Sequence, residues 1–244
     1  MDRKLIKADL HIHSNFSDGI ASPEEIVKYA AQNTDLKIIA ITDHDNIKGS
    51  LKAAELGDKY GLIVVPGVEV TTLQGHVICL FIEKHIRKFT SLYKTIEITY
   101  ESGGIIVLPH PMSPLTYSIP LHCIKKIFKK EHFPKPDAIE IINPTLAGRV
   151  IRQKVLELNK ILNLAEVAGT DSHTLDTIGS AYTLFPENTK TLEDVKRAII
   201  NRQTRAYGDF WSIKEHLRIA KTRLNSDIKS FAQKISEKLI NGYR

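Results

Sequence analysis

The stretch DLHIHSNFSDG, residues 9–19, places two histidines one residue apart at the end of a short apolar run and an aspartate in the turn that follows. A buried strand normally fills such positions with Val, Ile or Leu, because an imidazole that loses water without gaining a partner costs free energy. Side chains two residues apart on a strand leave the same face. His11 and His13 are therefore expected to share a partner, and Asp18 follows closely enough to reach the same region.

The composition favours one large α/β domain. The chain has 244 residues, of which 42% are hydrophobic, and this is enough for a substantial core. We find no stretch near the roughly 20 apolar residues needed to cross a bilayer and no signal-like segment at the N-terminus, so a cytoplasmic protein with no membrane partner is expected. Cys79 and Cys123 lie in unlike contexts, which argues against a disulfide framework or a zinc–thiolate site.

The positive charge is concentrated near the C-terminus. Residues 213–244 hold eight Lys and Arg against three Asp and Glu, which leaves them +5 of the chain's net +6. Apolar residues at steps of three and four from Ile213 to Leu239 predict an amphipathic helix, with a break near Asn225. We expect residues 1–210 to form the main domain and residues 211–244 a basic helical extension packed on it.

Seven strand-like runs alternate with helical patterns, as is typical of β/α units around a largely parallel sheet or barrel. The runs are 4–10, 37–42, 62–70, 76–82, 104–109, 137–143 and 165–170. An N-cap serine followed by proline and two acids, at Ser22, predicts a helix to about residue 31. Further helices are predicted over 49–60, which ends at Gly61, and near 90–101, 120–131, 147–162 and 191–202.

Polar residues, mostly histidines and acids, recur where the predicted strands end, which is where ligands collect in parallel α/β proteins. These residues are His11, His13, Asp43, His44, Asp45, Glu69, His110, Asn143, Asp171 and His173. His76 instead begins a strand. The link from Glu69 to His76, VTTLQG, is too short for a crossover helix and predicts a hairpin that returns His76 beside Glu69.

A cluster of six histidines and several acids predicts bound cations. Without cations, desolvation and like charges would oppose ionisation of the cluster. Imidazole and carboxylate ligands suit Zn, Mn or Fe, and about four ligands per ion give two or three divalent ions. A lone histidine at a strand end is more often a structural residue, so the prediction depends on the joint pattern. Four histidines in helical or charged surroundings are expected to be ordinary surface residues: His85, His122, His132 and His216.

Six motifs in order carry a resemblance to a known family: DLHIHSNFSDG, AITDHD, GVEVTTLQGHVICL, LPHP, AIEIIN and AGTDSH. Together they resemble the PHP (polymerase and histidinol phosphatase) family of metal-dependent phosphoesterases. The resemblance runs from about residue 8 to 208 and includes IGSAYTLF and RAYG. It implies an α/β fold in which residues 1–210 form a distorted seven-stranded β/α barrel of the PHP type.

The resemblance also implies a ligand set for up to three ions. The first ion would be held by His11, His13, Glu69 and Asp171. Glu69 would bridge to a second ion held with His76 and His110, and the third ion would be held by Asp18, His44 and His173. Some members of the family have histidine where Asp18 stands.

Four further residues have expected roles around these ligands. Asp43 and Asp45 are expected to orient imidazoles by accepting their second N–H. Asn143 and Arg149 are candidates for substrate binding. Arg149 lies in NPTLAGR, which resembles an Asn-Gly-Arg segment of relatives but carries an insertion.

The implied chemistry is hydrolysis of a phosphate ester by a hydroxide that bridges the first two ions, because metal binding lowers the pKa of water from about 15.7 to about 7. Glu69, Asp171 and His110 would form the catalytic centre. The third ion, with Arg149, would neutralise the phosphoryl and leaving oxygens. No Ser or Cys nucleophile is then needed, and Ser172 in GTDSH is expected to be structural.

Three functions stay open at this point. The first is a phosphoesterase acting on a small phosphorylated metabolite or nucleotide. The second is an exonuclease or oligonucleotidase that trims short RNA or DNA, which the basic C-terminal helix favours mildly, although such a charged face is usually only solvated. The third, a metal-free scaffold or binding domain, is the least favoured, because every matching ligand position holds a residue able to bind metal.

Overall fold

A computed structural model describes residues 5–222 and 224–225. The described strands form two five-stranded sheets. The first sheet contains β1 (Ile6–Ile12), β2 (Ile38–Ile41), β3 (Ile63–Val64), β9 (Ala181–Phe185) and β10 (Arg205–Gly208), in the order β10-β9-β1-β2-β3. The second sheet contains β4 (Gly67–Thr72), β5 (Gly75–Leu80), β6 (Ile105–Leu108), β7 (Ala138–Ile142) and β8 (Ala165–Ala168), in chain order.

Both sheets are mixed. In the first sheet β1, β2 and β3 are parallel, whereas β9 is antiparallel to both of its neighbours, β1 and β10. In the second sheet β6, β7 and β8 are parallel, whereas β5 is antiparallel to β4 and β6. The predicted hairpin between Glu69 and His76 is therefore confirmed: β4 and β5 pair antiparallel through Thr71 and His76.

The helices begin and end close to the predicted positions. They are α1 (Pro23–Asn33), α2 (Lys48–Tyr60), α3 (Leu92–Glu101), α4 (Leu121–Lys129), α5 (Leu146–Leu162) and α6 (Leu192–Ile200), with a 3-10 turn at Leu175–Thr177. Ser22 forms the predicted capping box with Glu25. Gly61 ends α2 in the left-handed conformation, as predicted.

The predicted seven-stranded barrel is not confirmed. Among the described residues the strands number ten, and strand pairing is not continuous around a ring. The two sheets meet at two seams through single parallel bridges, Ile12 with Ser172 and His44 with Glu69. Both bridges lie where β1, β2 and β8 end, so the two sheets are joined at the end where the candidate site residues lie.

Two local features explain why the strand count differs. Pro66 interrupts the predicted run 62–70, because proline cannot donate to a strand ladder. The piece before it, β3, pairs with β2, and the piece after it, β4, pairs with β5. The second feature is an antiparallel pair, β9 and β10, in segments that were not predicted to be strands.

An extra residue in β1 separates the side chains of Asp9 and His11. Asp9 pairs with Ile39 but Ile12 pairs with Ile41, so three steps along β1 match two steps along β2. Such a bulge changes the direction in which the following side chains point. Asp9 consequently bonds Thr170 and Gly179, whereas His11 contacts Glu69 and Glu140.

The core consists of three apolar clusters between the sheets and the helices. One is centred on α1 and α2 with Ile39 and Ile41, and another on α3, α4 and α5 with Ile106 and Ile139. The third lies among the strands and includes Leu10, Ile38 and Val107. His11, Glu69 and His110 are buried as well, although they are polar.

The chain divides into two compact units, residues 1–210 and 211–244. In the second unit the backbone is helical over 213–222 and at 224–225. Ser212 caps this helix: its hydroxyl accepts from Glu215 N–H, and the Glu215 carboxylate accepts from Ser212 N–H. The predicted continuation of the helix lies outside the described residues, and its packing on the main domain stays a prediction. Within the described part of the chain, no helix has the length and apolarity that a membrane span requires.

Candidate metal centre

The structure brings together all nine side chains that the sequence predicts as metal ligands. Their ligand atoms form four overlapping groups, each within 4.8 Å. The groups are His11, His13 and Asp171; His11, Glu69 and His110; His44, Glu69 and His76; and His13, Asp18, His44 and His173. Because the groups share members, the nine side chains form one continuous centre.

Glu69 lies at the middle of this centre, and its two carboxylate oxygens face different imidazoles. Oε2 lies 3.2 Å from His11 Nε2, 3.3 Å from His13 Nε2 and 3.2 Å from His44 Nδ1. Oε1 lies 3.1 Å from His76 Nδ1 and 3.2 Å from His110 Nε2. This two-sided arrangement is the one expected of a carboxylate that bridges two ions.

Asp171 and Asp18 complete the two ends of the centre. Asp171 Oδ1 lies 3.1 Å from His13 Nε2 and 3.5 Å from His11 Nε2. Asp18 Oδ2 lies 2.9 Å from His173 Nε2, and its Oδ1 lies 3.8 Å from both His13 Nδ1 and His44 Nε2. The Asp18 side chain is 43% exposed and that of Glu69 only 1%, so the Asp18 end opens to solvent.

The charges of the centre shift the pKa values of its members in opposite directions. Burial lowers the pKa of His13, but its contacts with Asp171 and Glu69 outweigh burial and raise this pKa to about 9. Burial raises the pKa of Glu69, but the surrounding imidazoles, His11 first, hold it well below its usual value. Burial also lowers the pKa of His44. The buried carboxylates thus require positive charge beside them, which protons or metal ions can supply.

The donor set fits metal ions better than it fits a hydrogen-bond network. The Nε2 atoms of His11 and His13 lie 3.1 Å apart and both face Glu69 Oε2. Nδ1 of His13 and of His44 is buried without a hydrogen-bond partner among the described residues. Converging nitrogen lone pairs beside carboxylates are the ligands that Zn, Mn and Fe take in proteins.

Asp43 and Asp45 do not take the partners that were predicted for them. The Asp43 carboxylate accepts from Ser14 N–H and from the hydroxyls of Ser14 and Ser17, which fixes the turn leading to Asp18. The Asp45 carboxylate accepts from Thr71 N–H and its hydroxyl. Both acids flank His44 in sequence, but their hydrogen bonds hold loops and not imidazoles.

Glu140 takes the role that was predicted for Asp43 and Asp45. Its Oε1 lies 2.8 Å from His11 Nδ1, and its Oε2 accepts from His110 N–H at 2.8 Å. The first contact makes Nδ1 the protonated nitrogen of His11 and leaves Nε2 free to bind an ion. The second holds His110 in a left-handed backbone conformation, with φ 27°. Sequence reasoning missed Glu140, although an acid inside the apolar run AIEIIN is the same kind of signal as His11 and His13.

Asp9 is a second buried acid that the sequence analysis left without a role. It accepts from Thr170 N–H, the Thr170 hydroxyl and Gly179 N–H. These hydrogen bonds fasten the segment that carries Asp171 to β1, the strand that carries His11 and His13.

Asn143 and Arg149 lie at the start of α5. Asn143 is buried; its amide donates to Glu140 Oε2, and its oxygen accepts from Thr145 N–H and the Thr145 hydroxyl. Asn143 is therefore held behind Glu140. Arg149 is exposed in the first turn of α5, and its part in substrate binding stays a prediction.

Among the remaining histidines, three are exposed, namely His85, His122 and His132, and His216 is half-buried. Ser172 is buried: its hydroxyl donates to Thr170 and accepts from Thr177. These contacts leave Ser172 in a structural position, as predicted.

Comparison with known sequences gives two family matches and several relatives. The PHP domain profile matches residues 9–112, and the PHP-associated profile matches residues 152–204. A protein of Methanocaldococcus jannaschii without an assigned function is 32% identical over 168 residues, which are 64% of this chain and 92% of the relative. The 5'-3' exoribonuclease of Haemophilus influenzae is 36% identical over 103 residues, 41% of this chain and 37% of that enzyme.

A solved structure has a similar fold. It is a two-domain protein of Bacteroides vulgatus that contains a predicted PHP-like metal-dependent phosphoesterase. The TM-score is 0.68 at 20% sequence identity, over 85% of this chain and 66% of that one. At this identity the likeness concerns the fold alone.

Proposed function

The chain belongs to the PHP family and is a hydrolase of phosphoester bonds, and from this premise we propose that it releases phosphate from a small phosphorylated metabolite or nucleotide with the help of two or three divalent ions. The observation that carries the proposal is the Glu69 carboxylate. One of its oxygens faces His11, His13 and His44, and the other faces His76 and His110.

The nine side chains lie together in four overlapping groups, and we assign them to the three ligand sets that the family resemblance implies. His11, His13, Glu69 and Asp171 would hold one ion; Glu69, His76 and His110 a second; and Asp18, His44 and His173 a third. Bound Zn, Mn or Fe would supply an activated water molecule at neutral pH and neutralise the charge of the phosphoryl group.

The protein's own residues set the geometry of this reaction. Glu69 holds the two inner ligand sets at a fixed separation, because both of its oxygens are engaged and its side chain is buried. Asp171 and His110, which follow β8 and β6 of the second sheet, complete these ligand sets. Asp18 and His44, which are more exposed, lie where a phosphate group would enter.

A second candidate function is trimming of short RNA or DNA from an end. Its support is the similarity to the 5'-3' exoribonuclease of Haemophilus influenzae over 103 residues, together with the basic segment 213–244. A metal-free scaffold has the least support, since the nine ligand positions are intact and converge.

The proposal is tested by measuring metal content and phosphate release on the same preparation. The full chain, reconstituted with Zn, Mn or Fe, should bind two or three equivalents and release phosphate from nucleotides or sugar phosphates. Less than one equivalent with all three metals would contradict the ligand sets. Full metal content with release only from oligonucleotides would favour the second candidate.

A further inference from the structure

Tyr117, an exposed aromatic residue, lies against His76, which is a member of the metal centre. The Tyr117 ring lies edge-on against the His76 imidazole, with centroids 5.4 Å apart and an interplanar angle of 77°. Tyr117 is nevertheless 47% exposed, and Leu73, Phe89 and Leu115 are 57–58% exposed. His76 in turn places Nδ1 3.1 Å from Glu69 Oε1, so one imidazole separates the tyrosine ring from the bridging carboxylate.

Hydrogen bonds hold this tyrosine in place. Its hydroxyl donates to Leu73 C=O at 3.0 Å, and its own C=O accepts from His76 N–H at 2.8 Å. Leu73 N–H donates to Thr90 C=O, which brings the segment of Phe89 alongside. The ring is thus anchored at its hydroxyl and at its backbone, and a face that is fixed before binding loses little entropy on binding a ligand.

Ligand residues near Tyr117 are also partly exposed, and the His44 ring lies 4.7 Å from the His76 ring that Tyr117 contacts. The side chain of Asp18 is 43% exposed and that of His44 is 28% exposed, and both belong to the ligand sets. A phosphate bound at the exposed ligands would therefore lie close to the fixed Tyr117 ring, with the His76 imidazole between them. A phosphate ester whose other end is planar and apolar matches this arrangement.

We propose that Tyr117 is a stacking surface for the planar ring of the substrate, which makes phosphate esters carrying a nucleobase or another aromatic ring the preferred substrate class. This inference rests on the proposed function, since it assigns the phosphate to the metal centre. Aromatic side chains stack on any planar base, and the loss of one such contact weakens binding about 10-fold.

The experiment compares three esters on the metal-loaded full chain: a nucleoside monophosphate, phenyl phosphate and glycerol phosphate. The variants are Tyr117→Phe, which keeps the ring, and Tyr117→Leu, which keeps an apolar side chain but removes the ring. Tyr207→Leu is the matched control, because Tyr207 is 49% exposed on β10 and is not among the metal-centre residues.

The wild type should prefer the two ring-bearing esters. Tyr117→Leu should raise KM for these two about 10-fold and change that for glycerol phosphate less than 2-fold. Tyr117→Phe keeps the ring but loses the hydrogen bond to Leu73, so it should raise KM for the two ring-bearing esters less than Tyr117→Leu does. Tyr207→Leu should change KM less than 2-fold for all three. Equal losses on all three esters in Tyr117→Leu would overturn the inference, since the tyrosine would then only support His76. Glycerol phosphate hydrolysed as well as the nucleotide would overturn it while leaving the proposed function intact. If the wild type hydrolysed none of the three esters, both this inference and the proposed function would be overturned.

Discussion

At the residue scale, Glu140 connects two ligand histidines that the chain carries about a hundred residues apart. Both of its oxygens accept from N–H groups, one on the His11 ring and one on the His110 backbone. A glutamine would place its NH₂ against one of these donors. We expect Glu140→Gln to lower metal affinity by roughly 10- to 100-fold, measured by competition with a chromophoric chelator.

Glu157→Gln is the matched control for this change. Glu157 is exposed on α5, where its carboxylate accepts from Gln153. The control should bind metal like the wild type. If Glu140→Gln also bound metal like the wild type while remaining folded, the other neighbours of the His11 imidazole would be sufficient to hold it in place.

Replacing Glu69 and replacing Asp18 should have different effects on metal content and turnover. Glu69 contacts five imidazoles and is buried, so Glu69→Ala should abolish turnover and lower the metal content of both inner ligand sets. Asp18 contacts the outer set and is partly exposed, so Asp18→Ala should remove about one ion and mainly raise KM. Metal analysis and steady-state kinetics check both. Complete metal loss in Asp18→Ala would contradict the division.

At the scale of elements, the β4–β5 hairpin positions both His76 and the loop that carries Tyr117. Gly75, in its turn, has φ 135°, and a Cβ there would lie 2.5 Å from backbone atoms of Ser118 and Ile119. Gly75→Ala should therefore destabilise the protein by roughly 1–3 kcal/mol and also lower activity, because it pushes the loop away from His76.

Gly61→Ala separates backbone strain from this steric effect. Gly61 also has positive φ, 66°, but a Cβ there meets no atom within 4 Å. We expect a loss of about 1 kcal/mol in the free energy of unfolding and unchanged activity. Denaturant unfolding and phosphate release on both variants check the contrast; equal loss of activity would argue against a role of the hairpin in placing the site.

The helices and strands also show which features of the fold can be predicted from the sequence. Helix caps such as Ser22 and Gly61 are local signals, and they predicted helix ends correctly. The bulge in β1 is not local: it depends on how β1 pairs with β2, so strict alternation could not separate Asp9 from His11. β9 and β10 were missed because they have only five and four residues and no strong apolar pattern; two of the four residues of β10 are exposed, and two of the five residues of β9 are only half-buried.

For the site, the sequence predicted the ligand residues but not the residues that orient them. Histidines and acids at strand ends stand out because core packing does not require them, and all nine predicted ligands, six histidines and three acids, converge. Asp43 and Asp45 were assigned to imidazoles from closeness in sequence, whereas the partner of His11 comes from a strand about 130 residues away. Contacts between distant segments cannot be read from spacing.

At the scale of the molecule, metal ions should hold the two sheets together. His11 and His13 lie in and just after β1 of the first sheet, and Glu69 and His76 lie in the second sheet, so the inner ligand sets span the seam between the sheets. Ions present at a hundredfold excess over Kd add about 2.7 kcal/mol to the free energy of unfolding. Chelation should then lower Tm by about 5–10 °C in a thermal scan. Chelation should lower the Tm of Glu69→Ala much less. If chelation left the Tm of the wild type unchanged, the two sheets would be held together without metal ions.

The basic C-terminal segment tests the two candidate functions. Lys214, Arg218 and Lys221, each changed to Gln, reduce the charge of residues 213–244 by three. For a small ester, turnover should remain within 2-fold, because charges beyond about 8 Å are screened at physiological ionic strength. For an oligonucleotide, affinity should fall and depend less steeply on salt. A several-fold loss with the small ester would place this segment close to the substrate.

The split into two sheets has a consequence for how the chain is made. The second sheet comes from one continuous stretch, from Gly67 to Ala168, whereas the first joins β1, near the N-terminus, to β9 and β10, where Ile6 pairs with Phe185. During synthesis on a ribosome the second sheet can form as soon as its strands emerge. β1 can pair early with β2, but it must wait for more than a hundred further residues for its other neighbour, β9. The half-centre of Glu69, His76 and His110 is then assembled before His11 and His13 acquire Asp171. A nascent chain stalled before β9 should accordingly protect the second sheet from protease better than β1, which then lacks its pairing with β9.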